Sequence, residues 1–201
     1  MGSPSRLLET IAPEAPKSIA WLDQVHGATV LPAAPGRVGE ADALVVSARG
    51  LVLVIATADC VPVILVGPGG MGAIHAGWRG LVAGVVGETA RHLERVTGAW
   101  VGPSIGPCCY EVGDEVARAV VAASDRRSLR HGSGPKPRLD LRRAVRSQLE
   151  NLSIPVRKEV PLCTGCHADL LHSYRRQGQE AGRNLTFVWR ERRGVSEGER
   201  T

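Results

Sequence analysis

Three polar residues, His26, Cys60 and His75, stand where apolar runs end. They lie in Trp21-Leu22-Asp23-Gln24-Val25-His26-Gly27, Thr57-Ala58-Asp59-Cys60 and Ala73-Ile74-His75-Ala76-Gly77-Trp78-Arg79-Gly80, each flanked by small residues. Such positions, where loops leave a rigid sheet, commonly carry function. Two imidazoles and one thiolate make a three-ligand zinc set with a fourth position open to water or substrate, which is the pattern of a catalytic zinc. The same residues also admit a purely structural reading, a buried cysteine with two hydrogen-bonded histidines at strand ends.

A second cysteine group, Cys163-Thr164-Gly165-Cys166-His167, matches both covalent haem attachment and half of a zinc knuckle. Haem attachment belongs to exported chains, and no signal segment is visible. A four-cysteine zinc site would need Cys108 and Cys109, whose neighbouring side chains diverge if that segment is extended. These residues therefore read as plain loop cysteines. The turn-rich stretch Gly102-Pro103-Ser104-Ile105-Gly106-Pro107-Cys108-Cys109-Tyr110-Glu111 could turn backbone N–H groups toward a polar or anionic ligand, although it fits no phosphate-loop pattern. Ser173-Tyr174-Arg175-Arg176 offers a phenol and two guanidinium forks, or a solvated charged loop.

The elements that must position these groups follow from periodicity. Short apolar runs at 43–47, 51–57, 61–66 and 71–75 read as successive strands of one buried sheet. From residue 81 the period becomes helical, and the pattern predicts one amphipathic helix ending at Gly98. Further strands are expected at 100–105, 156–160 and 185–189, a helix at 112–123 and a polar loop at 124–137. Asp140 reads as the N-cap of a helix with Leu141, Ala144, Val145 and Leu149 inward and Arg142, Arg143 and Arg146 outward. The organisation is α/β (α+β), a mixed β-sheet core flanked by helices, with residues 1–18 a loose leader that could include a short helix, 19–190 a single domain and 191–201 a frayed tail.

The 201 residues carry 43% apolar and 22% charged side chains, a balance that excludes a disordered or fibrous chain. No apolar run nears the roughly 18 residues of a membrane span, and no secretory signal is visible, so a cytoplasmic location is the default. Five cysteines cannot all pair within one chain. The net charge of +5 invites a nucleic-acid reading, but four Trp, two Tyr and one Phe leave little to stack on bases, and basic residues alternate with acidic ones. Nucleic acid and membrane are therefore not expected partners. The oligomeric state is left open.

Taken together, Trp-Leu-Asp-Gln-Val-His-Gly, Ala41-Asp42-Ala43, Thr-Ala-Asp-Cys-Val-Pro-Val, Ala-Ile-His-Ala-Gly-Trp-Arg-Gly, Gly-Pro-Ser-Ile-Gly-Pro-Cys-Cys-Tyr-Glu-Val, Leu139-Asp140-Leu141, Cys163-Thr164 and Ser-Tyr-Arg-Arg occur in the order seen in the laccase-domain family. This chain resembles that family from about Trp21 to Trp189. Its members, once labelled multicopper polyphenol oxidases, are described as purine nucleoside phosphorylases with adenosine deaminase side activity. The resemblance implies the family's Cys-hydrolase-like fold and places its metal ligands on His26, Cys60 and His75. It further implies zinc, with copper possible by the family label, and nucleoside and phosphate as small-molecule partners.

The implied reactions are phosphorolysis of adenosine, inosine and methylthioadenosine to base and sugar 1-phosphate, and hydrolytic deamination of adenosine. Water activated by zinc can attack C6 of adenine if a carboxylate shuttles protons, and Asp59 is the candidate. Phosphorolysis needs a cationic seat for phosphate, which directs attention to Arg79, Arg175 and Arg176, with Ser104 completing the substrate-binding set. The catalytic set is then Asp59, Cys60, Arg79, Tyr174 and Arg175. A laccase needs many histidines, whereas this chain has six, with His92, His131 and His172 on exposed or loop segments.

One competitor is a metal-free Cys–His hydrolase, with Cys60 as nucleophile and His75 as base, acting as an amidase or editing peptidoglycan precursors. Another is a catalytically silent metal-binding module. Two departures from the family pattern stand out. Only 20 residues precede Trp21, so contacts from the longer segment usual there are expected to be missing, and Leu171-His172 replaces two aromatics.

Overall fold

The computed structural model describes residues 4–130 and 134–191. In chain order the elements are α1 (Pro4–Ile11), β1 (Ser18–Asp23), β2 (Val30–Pro32), β3 (Gly36–Glu40), β4 (Ala43–Val46), β5 (Leu51–Thr57), β6 (Val61–Gly67), β7 (Gly70–Ala76), α2 (Trp78–Val82), α3 (Val85–Arg91), β8 (Gly98–Val101), α4 (Asp114–Ala123), β9 (Leu129–Arg130), β10 (Arg138–Leu139), α5 (Leu141–Asn151), β11 (Val156–Glu159), α6 (Tyr174–Gln177) and β12 (Asn184–Val188). They form the expected mixed α/β domain of sheets flanked by helices. His131, and the expected frayed tail from residue 192 onward, lie outside the described residues.

The apolar runs do not share one sheet. β4, β6 and β7 belong to a six-stranded sheet of order β11-β8-β6-β7-β4-β2, whereas β5 belongs to a four-stranded sheet of order β12-β5-β1-β3. The reason is visible in β5, which is apolar on both parities. Leu51, Leu53 and Ile55 face Leu44, Ile64, Met71 and Ala73 of the large sheet, while Val52 and Val54 pack with Leu8, Ala15 and Ile19 on the other side. A strand buried on both faces belongs between layers. Before Ile19 lies the short helix α1, which docks through Leu8, whose burial contributes about 2 kcal/mol to holding a helix too short to persist alone.

The helices cover the outer face of the large sheet. Leu81, Val85, Val86, Val120, Leu141, Ala144, Val145 and Leu149 pack on Val61, Val63, Leu65, Ile74, Ala76 and Ala99. The single helix expected from residue 81 to Gly98 is instead two helices, because Gly84 adopts the left-handed conformation with φ 84° and turns the chain between α2 and α3.

Asp140 caps α5 as expected, its side chain accepting from the Arg143 N–H at 3.0 Å. The expectation that Arg142 and Arg143 point outward is corrected, since both are buried. Arg143 donates to Glu150 and to Asp125 at 2.7 Å, and Arg142 to the Leu162 carbonyl at 2.7 Å. Carboxylates and carbonyls from neighbouring loops draw these cations in. Arg146 remains partly exposed near Glu159.

Strand directions bring functional loops to one end of the molecule. The carboxyl ends of β1, β5, β7, β8 and β11 and the amino ends of β4 and β6 lie together, as the parallel β1/β5 and β8/β11 pairs and the antiparallel β6/β7, β4/β7 and β6/β8 pairs require.

Candidate metal centre

At that end His26, Cys60 and His75 converge, their donor atoms all within 4.8 Å of one another. Cys60 immediately precedes β6 and His75 lies near the end of β7, so the hairpin ladder that pairs Pro62 with His75 sets both. His26 arrives from the loop joining β1 of the small sheet to β2 of the large one. Gln24 anchors that loop by a double bond to β5, donating to the Ala56 carbonyl at 2.6 Å and accepting the Ala56 N–H at 2.9 Å. His26 itself holds φ 63°, a conformation fixed by its N–H donating to Asp42 at 2.8 Å.

Asp42, which the sequence marked only as part of Ala-Asp-Ala, organises the centre. It is fully buried and accepts the His26 N–H, the Gly27 N–H at 2.5 Å and the His75 Nδ1 at 2.8 Å. With Nδ1 engaged, His75 offers Nε2 toward Cys60. Burial alone would raise the Asp42 carboxyl, yet the hydrogen bonds from His75 and the two N–H groups hold it below the usual carboxylate range. Gly77 completes the close packing, because a Cβ there would lie 3.0 Å from Cys60 Sγ and 3.1 Å from the His26 ring.

Cys60 and His75 shift toward an ion pair. Burial pushes the thiol up, but hydrogen bonds from His26 and His75 more than offset it and bring Cys60 down to about 7. Burial likewise lowers His75, while Asp42 and Cys60 raise it to about 9. In metal-stripped protein the alkylation rate of Cys60, followed peptide by peptide by mass spectrometry, should therefore rise with pH through a midpoint at about 7. A midpoint at the ordinary thiol value of about 8.5 would show that the two imidazoles do not stabilise the thiolate.

The other expected site residues divide into two groups. Arg79 is exposed and stacks on Trp78, its guanidinium carbon 4.5 Å from the ring centre. Arg175 lies over Tyr110 at 5.1 Å and donates one N–H to the Glu111 carbonyl. Tyr110 was not singled out from sequence, yet its phenol feels Cys60, Arg175, Asp59 and Arg79. Burial and the Cys60 charge push it to about 12 against the pull of Arg175, so it stays protonated.

Asp59, Ser104, Tyr174 and Arg176 have other surroundings. Asp59 has both carboxylate oxygens engaged, one by the Thr164 hydroxyl at 2.5 Å and the other by the Arg175 N–H at 2.7 Å. Its carbonyl also accepts the Ile105 N–H. Ser104 is fully buried, and its hydroxyl reaches no partner among the described residues. The Arg176 guanidinium donates to the carbonyls of Thr164, Gly165 and Leu171, which uses its fork inside the protein. Tyr174 is exposed at the start of α6.

Cys108, Cys109, Cys163 and Cys166 also draw together, their sulfurs within 4.8 Å of one another. The expected divergence of Cys108 and Cys109 does not occur, because residues 106–110 form a turn rather than a strand, with the Cys109 and Tyr110 N–H groups both donating to the Gly106 carbonyl.

The sequence profile of the family described as multi-copper polyphenol oxidoreductase laccase matches residues 4–191. The chain belongs to this laccase family. A relative from Streptomyces coelicolor, named a purine nucleoside phosphorylase, is 40% identical over 186 residues, covering 87% of this chain and 76% of its own length. Another of the same name, YfiH of Escherichia coli, is 37% identical over 185 residues, covering 87% and 74%. The crystal structure of YlmD from Geobacillus stearothermophilus superposes with a TM-score of 0.83 at 30% identity, covering 94% of this chain and 79% of that one. Among the described residues of this laccase-family chain no helix is long and apolar enough to cross a membrane.

Proposed function

We propose that the protein is a zinc-dependent purine nucleoside phosphorylase, converting adenosine, inosine or methylthioadenosine and phosphate to free base and sugar 1-phosphate, with adenosine deaminase as a side activity. The observation that carries this reading is the convergence of His26, Cys60 and His75, with Asp42 behind His75, beside the exposed guanidinium groups of Arg79 and Arg175. The names of the relatives at 40% and 37% identity support it.

The residues fit a metal: two imidazoles and a thiolate of lowered pKa, the second imidazole oriented by a buried carboxylate, make the donor set of a three-ligand zinc site. Bound there, zinc would supply Lewis-acid chemistry at an open fourth position. The same N₂S set also appears in blue-copper sites with an axial thioether. Met71 lies at the far end of β7 from His75, paired with Val46 and Val66, which favours zinc. The family's oxidase label gains no support from histidine placement, since among the described residues only His26 and His75 come together.

In phosphorolysis a phosphate oxygen attacks the anomeric carbon as the bond to the base nitrogen breaks, through an oxocarbenium-like transition state. Arg79 and Arg175 would hold the phosphate by charge-assisted hydrogen bonds, and the protonated Tyr110 beneath Arg175 can donate to an oxygen of phosphate or sugar. Ser104 and Arg176 act at one remove, as parts of the loops that carry these groups. The Asp42–His75–Cys60 alignment also supports a second reading, a metal-free Cys–His hydrolase.

The test is product analysis with adenosine, with and without phosphate, on zinc-loaded protein and on its Cys60→Ser variant. Adenine and ribose 1-phosphate formed only with phosphate, and lost in the variant, is the expected result. Inosine formed without phosphate would make deamination the main reaction. Full activity in a demonstrably metal-free protein would overturn the zinc reading in favour of the hydrolase.

A further inference from the structure

We propose that Cys108, Cys109, Cys163 and Cys166 form a second metal site, apart from the His26/Cys60/His75 centre, that binds one structural zinc ion through four thiolates. The four sulfurs lie within 4.8 Å of one another, and Cys166 Sγ sits 3.5 Å from Cys108 Sγ and 3.4 Å from Cys109 Sγ. Tetrahedral zinc with Zn–S bonds of about 2.3 Å sets its sulfurs about 3.8 Å apart, within this range. All four cysteines are free. Thiol–thiol contacts are weak, so the thiols alone give little reason for four of the chain's five cysteines to collect in one place.

The backbone around them is built for the purpose. Cys163 and Cys166 lie on a tight turn, where the Cys166 and His167 N–H groups both donate to the Cys163 carbonyl at 3.1 Å. The Gly106 N–H donates to Cys163 Sγ at 3.1 Å, the kind of contact that supports a metal-bound thiolate. The two turns approach so closely that a Cβ at Gly165 would lie 2.8 Å from Cys109 Cβ and 2.9 Å from its sulfur. Four thiolates around a divalent ion leave two negative charges, and cations flank them. Arg138 donates to the Cys108 carbonyl at 3.0 Å and Arg176 to the Thr164 and Gly165 carbonyls at 2.6 and 3.1 Å. His167 is not among the clustered donors, and its Nδ1 bonds to the Cys163 carbonyl at 2.9 Å. Sulfurs gathered this tightly suit one ion; in an iron–sulfur cluster the thiolates are spread over several irons.

The ion would tie the loop after β8 to the segment after β11 across a separation of 57 residues. Thr164, next to Cys163, donates to Asp59, and Asp59 holds the Arg175 N–H. The site thereby steadies the contacts of Asp59, the neighbour of Cys60, without contributing a donor to the first centre.

The test is zinc per chain in protein purified reduced and without chelator, in the wild type, in His75→Ala and in Cys109→Ser/Cys166→Ser. Two zinc ions in the wild type and one in each variant is the expected result. Should the double serine variant not fold, cobalt(II) added to His75→Ala carries the test, since a tetrathiolate site gives intense thiolate charge-transfer and tetrahedral visible bands. One zinc per chain that disappears with His75→Ala, absence of those bands, or a Cys109–Cys166 disulfide in freshly reduced protein would overturn the proposal. Because each centre is counted by its own variant, failure here and failure of the phosphorylase reading are distinguishable.

Discussion

Replacing Asp42 by alanine is expected to weaken zinc binding at His26/Cys60/His75 by about 10- to 100-fold, the usual cost of losing an outer carboxylate. It should also destabilise the metal-free protein by about 3 kcal/mol. Three donors, the His26 and Gly27 N–H groups and His75 Nδ1, converge on this fully buried carboxylate and would be left without an acceptor. At about 2–4 °C of melting temperature per kcal/mol for a chain of this size, the shift should be near 10 °C. Asp42→Asn should do little better, because the amide nitrogen would face either the Gly27 N–H or the pair of donors on the other oxygen. Chelator competition and thermal melting measure the two effects. An asparagine variant with wild-type zinc affinity would show that the orientation of His75 does not depend on Asp42.

Asp59 gives the second large effect, and here asparagine and alanine should part company. Both Asp59 oxygens receive hydrogen bonds, from Thr164 and from Arg175, and its φ of 98° lies in the region asparagine tolerates better than most residues. Asparagine can accept the Arg175 N–H with its oxygen and donate to the Thr164 hydroxyl with its nitrogen, reversing one bond without breaking the clamp. Phosphorolysis by Asp59→Asn is therefore expected to stay within about 10-fold of wild type. Alanine frees both loops, and misplacing Arg175 by an ångström should lower kcat/KM by about 10²-fold. A loss of about 10²-fold or more in both activities of the asparagine variant would instead identify Asp59 as a proton-transfer residue. If only deamination falls, the shuttle role is confined to the side activity.

The candidate set His26, Cys60 and His75, whose donor atoms the fold brings within 4.8 Å of one another, was legible in the sequence because each interrupts an apolar run at its end, where only a loop-facing group is tolerated. Asp42 was harder to read: an aspartate between two alanines carries no sign of three donors arriving from residues 26, 27 and 75. The membership of β5 in the small sheet was hidden for a related reason. Alternation tells which way a side chain points and nothing about which distant strand pairs beside it. Arg142 and Arg143 fell on the polar side of a helical pattern, but their burial is set by Asp125 and Glu159 on other segments. The approach of Cys108 and Cys109 was hidden because adjacent side chains diverge in extended chain, whereas Gly106-Pro107 opens a turn.

The β6–β7 pairing bears on the order in which the centre is assembled during folding. Cys60 and His75 are brought together by a hairpin closed through the Gly67–Gly70 pair, a contact local in sequence. His26 joins only when the chain between β1 and β2 docks across both sheets, and Asp42 lies 33 residues from His75. Local closures cost less entropy than distant ones and form sooner. A folding intermediate with only the hairpin in place would offer a metal one thiolate and one imidazole whose tautomer is not yet fixed. Tight and selective binding of a metal at this centre would thereby be deferred until the tertiary structure has closed around it.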